Sequence, residues 1–477
     1  MQIRSTTIFI LLLFIFIEAF GQEQFQSLEK SLDNLLSENF KPGEPGIAVL
    51  IAKNKKIIYE HTYGSADMEL DVPLQSDMVF KIGSITKQFT AVGILKLAEQ
   101  GKISLQDSLQ KYVKEFPSKG HTITIEHLLT HTSGIREFTA IEHPTPYIER
   151  SEFSPQMLID HFKGQPLEFQ PGAKYAYSNS GYVLLAFIIE KVSGQSFHQY
   201  IQEHLLVPAG LHHTYFANEK LILPKRVKGY TRDNGFYQNC EYQSISMAYG
   251  CGDLLSTVSD LCNWNNALLD GKIINKQSLN MAFKPYQLKN GTRSNYGYGW
   301  FVDQMLGKNC IHHEGQVSGF IGLEKYFPDD DLYVAILTNV KSGEDKTDFS
   351  DNRFRLFRQI VAIALSEPLK KQVQLSQETL ESYIGTYKVD RIFKNDSLTS
   401  AVKEKAIITI RLGDGKLYAD LSNGTGKNML LVPISQSKFL LPDVERIRTT
   451  IEFSTTADLH KVLYWIQEKK SMWKKVE

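Results

Sequence analysis

Strand signals stand at both ends of the first 340 residues, with helical signals between them, and this layout restricts the fold most. Residues 46–52 (Gly-Ile-Ala-Val-Leu-Ile-Ala) and 56–60 (Lys-Ile-Ile-Tyr-Glu) read as two strands around a Lys53-Asn54-Lys55 turn. Strand patterns return at 298–301, 309–313, 319–327 and 332–338, and Pro328-Asp329-Asp330-Asp331 turns the last pair. The middle, roughly 105 to 290, has helical stretches, Pro/Gly breaks and loops rich in Tyr, Asn and Ser. The pattern therefore predicts one sheet assembled from the two ends of a large mixed domain.

Helical spacing fills in the rest. Phe25, Leu28, Leu32 and Leu35 mark an opening helix. Ile85, Phe89, Val92 and Leu95 stripe a helix over about 84–100, with Gly101 placed to cap it. Phe354, Phe357, Val361 and Ala364 mark another. Glu367-Pro368-Leu369-Lys370-Lys371 reads as a boundary, and the pattern beyond it is β. Ile408, Ile410 and Leu412 alternate, as do Leu417, Ala419 and Leu421 after the Gly413-Asp414-Gly415 turn. Three segments are expected: a leader at 1–21, a large domain at 22–366 and a mostly β domain at 372–477.

The leader has one early Arg, an apolar run from Ile8 to Ile17 and the small-x-small site Ala19-Phe20-Gly21. That is the pattern of a secretory signal peptide, so an exported, periplasmic or secreted protein is expected. The run is shorter than the ~20 apolar residues of a bilayer span, and no later segment reads as membrane-spanning. Lys plus Arg and Asp plus Glu both number 53, so the chain has no basic footprint for nucleic acid. Cys240, Cys251, Cys262 and Cys310 have no CxxC spacing, and buried thiols are the expected state. His127 and His131 sit four apart, but no His-Glu-x-x-His occurs; no metal and no cofactor are expected.

Three segments carry candidate chemistry. Ser84-Ile85-Thr86-Lys87 opens a helix, so Ser84 and Lys87 share a face one turn apart. A serine hydroxyl needs a base, and a buried lysine with a lowered pKa can serve. The spacing alone is weak, because Ser-x-x-Lys occurs six times. The alternative here is a capping serine beside a solvated lysine. Tyr177-Ser178-Asn179 offers a phenol proton shuttle and a carboxamide, or else a loop that caps the next helix. His313-Glu314-Gly315 joins two expected strands. Its histidine is a donor, a relay or a cation for a substrate carboxylate, or else an ordinary satisfied loop histidine.

Taken in order, the three segments resemble the motifs of the serine β-lactamase and penicillin-binding protein superfamily, on its class C β-lactamase and DD-peptidase branch. Leu128-Leu129-Thr130-His131-Thr132-Ser133-Gly134, Gly250-Cys251-Gly252-Asp253 and Tyr296-Gly297-Tyr298-Gly299-Trp300 add to the likeness, which covers about 30–365. The resemblance implies an α/β (α+β) domain with an antiparallel sheet flanked by helices, a helical subdomain, and a small β-barrel-like domain at the C-terminus. It implies that Ser84 is acylated, that Lys87 activates it with Tyr177 as shuttle, and that Asn179 orients the substrate. It places the oxyanion at the backbone amides of Ser84 and Gln316. His313 and Gly315 stand where many relatives have Lys-Thr-Gly. An acid at Glu314 and a histidine in place of lysine favour a peptidase or esterase over an efficient β-lactamase. The expected partner is a small-molecule or peptide substrate, with cell-wall peptide among the options. The competing expectation is a penicillin-binding or sensor-like module that acylates and hardly turns over.

Overall fold

The structure is a computed structural model. It describes residues 27–141, 150–342 except 219 and 234, 349–365, and 375–475 with short interruptions. The expected leader at 1–21 and the expected boundary at 367–371 lie outside these residues. The chain divides into two compact units: one runs to Asp303 and resumes over Asn309–Gly343, the other comprises Gln304–Lys308 and Glu344–Glu477. The helix at Phe349–Ala364 groups with the second unit. No helix among the described residues is long and apolar enough to cross a membrane.

Six strands, which belong to the first unit except at Gln304–Lys308, form one sheet: β1 (Ile47–Lys53), β2 (Lys56–Tyr63), β3 (Phe301–Met305), β4 (Lys308–Val317), β5 (Phe320–Phe327) and β6 (Leu332–Thr338). Their order is β3-β4-β5-β6-β1-β2. The two ends of the sequence meet where β1 pairs antiparallel with β6, Ile47 opposite Thr338 and Lys53 opposite Leu332. Every residue of β6 and all but the last of β1 are buried. Continuous apolar runs of this kind suit strands covered on both faces.

The third motif sits differently from the sequence-based expectation. It lies within β4, which continues to Val317, rather than in a connection after residue 313. Conversely, the strand expected from Tyr298 starts at Phe301, because Gly299 takes a positive φ of 91°.

Two helices frame the site. The first, α1 (Thr86–Glu99), follows a single 3₁₀ turn at Gly83–Ile85. Nearly all of its residues are buried, including the polar Thr86, Lys87, Gln88 and Thr90, so it runs through the core. The second, α2 (Asn179–Ser193), packs against it. Ser178 caps α2 by accepting the Gly181 N–H, and Gly194 ends it in the left-handed region.

In the second unit, nine strands between Gly385 and Lys475 form one antiparallel sheet. The strand Gly385–Lys394 pairs with Ile407–Gly413 along one stretch and with Lys470–Lys475 along another, so the last strand returns to the first. The alternating residues named above face each other in register, Ile408 opposite Leu421 and Ile410 opposite Ala419. Ile408, Ile410, Leu417 and Ala419 are buried in a core of this unit's own.

Candidate active site

Ser84 sits on the 3₁₀ turn, and Lys87 one turn on is fully buried. The Lys87 Nζ donates to three oxygens: Ser84 Oγ at 2.9 Å, Asn179 Oδ1 at 2.8 Å and the Cys251 carbonyl at 2.8 Å. The ammonium also lies 4.8 Å from the centre of the Tyr177 ring. Burial pulls Lys87 down to about 8, although the neighbouring Cys251, Glu137 and Asp253 oppose that shift. The solvated-lysine alternative is therefore excluded.

Tyr177 is half-buried, and its hydroxyl bonds with Ser84. Desolvation holds its pKa well above the usual phenol value, so it stays protonated at neutral pH. Its ring is wedged against His131, with centroids 4.3 Å apart. Asn179 is the first residue of α2. Its amide orientation follows from its partners, since Oδ1 accepts from Lys87 while Nδ2 donates to Glu137 at 3.0 Å.

Glu137 also accepts the Asn179 backbone N–H, so one carboxylate clamps that residue twice. Nothing in the sequence near Glu137 singles it out. Its role comes from a loop folding back 42 positions away from Asn179. Glu137→Ala is expected to lower kcat/KM on the order of 10²-fold by loosening Asn179 and through it Lys87. Steady-state kinetics beside a thermal melt check this; a change under twofold would count against the clamp.

The first and third motifs touch through their backbones. A Cβ on Gly315 would stand 1.8 Å from the Ile82 carbonyl oxygen and 3.0 Å from the Ser84 nitrogen. Gly83 takes a φ of +52°, and a Cβ there would stand 2.7 Å from the Gln316 nitrogen. Glycine at both positions lets the Ser84 turn and β4 approach this closely. The same approach brings the amides of Ser84 and Gln316 to one place. Ser84, Asn179 and Gln316 line a cavity of about 160 Å³ together with Phe138, Cys251 and Gly252.

His313 is not among the residues that line the described cavity. It is buried, its Nδ1 donates to the Glu314 carbonyl at 2.6 Å, and its Nε2 accepts from Tyr296 Oη at 2.9 Å. Burial and the nearby Lys87 ammonium hold its pKa well below the usual imidazole value. It is thus a neutral, fully bonded group packed near Tyr177, and not a cation on the cavity wall. Glu314 turns to the other face of β4 with His312, where Lys325 lies 3.5 Å from its carboxylate. It does not confront the cavity.

Behind β4, Glu324 accepts the His313 N–H at 2.9 Å and the Gln88 amide. Gln88 in turn accepts from the Trp264 indole. Burial raises Glu324 to about 7 from an ordinary value of 4.5. Between those values the folded state holds the proton more tightly than the unfolded one. The associated stability is complete below the unfolded value and is lost as pH rises through about 7, on the order of 3 kcal/mol. Glu324→Gln should remove that slope in denaturant titrations at acid and neutral pH, and an unchanged slope would exclude Glu324 as its source.

The paired histidines do not share a helix face. The helix at Ile125–Leu129 ends before His131, which has a φ of 57° and accepts the Ser178 N–H at Nδ1. His127 instead bonds with Thr124 at the start of that helix. Cys251, Cys262 and Cys310 are buried, Cys240 is partly so, and all four are free thiols.

Comparison with known proteins agrees with this geometry. The family model described as Beta-lactamase matches residues 25–356. The chain belongs to the beta-lactamase family. Within that family it is 27% identical over 462 residues to Penicillin-binding protein 4* of Bacillus subtilis, covering 92% of this chain and 97% of the relative. Among solved structures, the octameric penicillin-binding protein homologue from Pyrococcus abyssi superposes with a TM-score of 0.62 at 25% identity, covering 94% and 99% of the two chains. The D-stereospecific amidohydrolase from Streptomyces gives a TM-score of 0.57 at 25% identity, covering 65% and 94%. A serine hydrolase of the β-lactamase and penicillin-binding protein superfamily is the coarse identity these relations support.

Proposed function

We propose that this chain is an exported hydrolase that cleaves a small amide or ester, with D-amino-acid peptides and esters preferred to β-lactams, through an acyl-enzyme on Ser84. The observation that carries the reading is the 2.9 Å contact between Ser84 Oγ and a buried Lys87 whose pKa has fallen to about 8. The unprotonated amine takes the hydroxyl proton as Oγ bonds to the substrate carbonyl carbon. The carbonyl oxygen gains the negative charge and is held by the amides of Ser84 and Gln316. The leaving amine or alkoxide takes its proton from Lys87 by way of the Tyr177 hydroxyl. Water then attacks the ester, and the same groups work in reverse.

Two features support the substrate class. Neutral His313 and averted Glu314 mean that the third motif supplies no cation, and Lys81 is the charged residue on the described cavity wall, so an anionic substrate group has a single lysine to pair with. The likeness to a D-stereospecific amidohydrolase points the same way. The test is a panel of nitrocefin, p-nitrophenyl esters and D-alanyl anilides on the purified chain. Preference for the anilide or ester supports the reading, whereas nitrocefin as the best substrate overturns it. A penicillin adduct that persists for hours in intact-mass spectra, with no turnover of any substrate, would favour the sensor-like alternative.

A further inference from the structure

A second cavity, of about 740 Å³, opens beside the catalytic one and takes no part in the mechanism above. Its wall includes Phe153, Glu190, His198, Phe216, Tyr249 and Asp253. Asp253 is 3% exposed. One of its oxygens, Oδ2, faces His198 Nε2 at 3.0 Å; the other, Oδ1, is buried with no hydrogen-bond partner. The Tyr249 hydroxyl is likewise buried, with the Glu190 carboxylate placed to accept from it. Burial first, and then the charges of Glu190 and Asp253, keep that phenol protonated, so both carboxylates lie close to it. Next to this acidic corner is an aromatic wall, where His198 stacks on Phe216 with centroids 4.0 Å apart.

A buried carboxylate oxygen without a donor is costly, and a ligand that supplies the donor removes the penalty. The missing donor must be cationic or strongly polar, and the space beside it must be filled by something apolar. A bare metal fits poorly. Among the described residues, the three metal-ligating side chains that converge are Asp303, Cys310 and His312, which lie elsewhere.

We propose that this cavity is a second binding site, for a small organic cation whose primary ammonium bonds Asp253 Oδ1 and the Tyr249 hydroxyl while its aromatic or aliphatic body lies against Phe216 and His198. The site is joined to the catalytic one. Asp253 follows Cys251 by two residues, the Cys251 carbonyl accepts from Lys87, and Ile245 lines both cavities. A cation beside Asp253 offsets a negative charge that now favours protonated Lys87. Occupancy should therefore move the acid limb of the kcat/KM profile to lower pH. This coupling rests on Lys87 being the base; the binding does not.

The probe is benzylamine, with benzyl alcohol as its neutral counterpart, titrated by calorimetry into the full chain. Benzylamine should bind at one site at least tenfold more tightly than benzyl alcohol. Asp253→Asn should remove that preference, and Phe216→Ala should weaken both probes. Should Asp253→Asn fail to fold, Glu190→Gln replaces it, with at least a threefold loss expected for benzylamine alone. Acylating Ser84 with a fluorophosphonate should leave benzylamine binding intact. Equal affinity for the two probes, indifference to these substitutions, or loss of binding on acylation would each overturn the proposal. An unmoved pH limb at saturating benzylamine, with binding intact, would remove the coupling alone.

Discussion

Ser84→Ala is expected to lower turnover of the best panel substrate by about 10⁴-fold or more and to abolish labelling by a fluorophosphonate or fluorescent penicillin. The size follows from the proposed chemistry. Without Oγ there is no acyl-enzyme, and the remaining donors at Ser84 and Gln316 only polarise a carbonyl that nothing attacks. The fold should tolerate the change, because Lys87 keeps Asn179 Oδ1 and the Cys251 carbonyl as acceptors. Intact-mass spectrometry after incubation with penicillin gives the readout. An adduct of unchanged mass and rate on the alanine variant would place the nucleophile elsewhere.

Removing the base gives the second large effect. Lys87→Ala should reduce kcat/KM by roughly 10³-fold. In the unaltered chain, kcat/KM should fall tenfold per pH unit below about 8 and level off above it, since only the neutral amine accepts the serine proton. The sign follows from desolvation, which disfavours the ammonium and brings the neutral amine within reach of physiological pH. Tyr177 should contribute no limb near neutrality, because burial keeps it protonated. A limb near the ordinary lysine value, or a pH-independent rate from 6 to 9 (tested in steps of about half a unit), would exclude Lys87 as base.

The cluster of Ser84, Lys87, Tyr177 and Asn179 was legible because its parts are local. Ser84 and Lys87 are one turn apart, and Tyr177 and Asn179 flank a helix cap that the Ser178 hydroxyl marks. The strands of the second unit were legible through alternation, as the register of Ile408 and Ile410 against Leu421 and Ala419 shows, and the central strands of the first through their continuous apolar runs. What sequence does not carry is the environment created by distant contacts. The protonation of His313 depends on Tyr296 and on burial, neither of which its own motif encodes. The aim of Glu314 depends on Lys325 from the neighbouring strand. The clamp on Asn179 depends on a single carboxylate at Glu137 in a loop without periodicity. The third acceptor of Lys87 is a main-chain carbonyl, which any residue could provide.

The stitching of the sheet bears on how the molecule is born. Gly46 donates its N–H to Asn339 Oδ1, a bond that spans 293 positions of sequence. Contacts of such range are slow to form, since a long loop must close before any of them is rewarded. Ser84 therefore emerges during synthesis long before β4 can supply Gln316, and the nascent chain has a serine and a lysine but no completed site. Latency until the final strands arrive is thus a property of the topology itself.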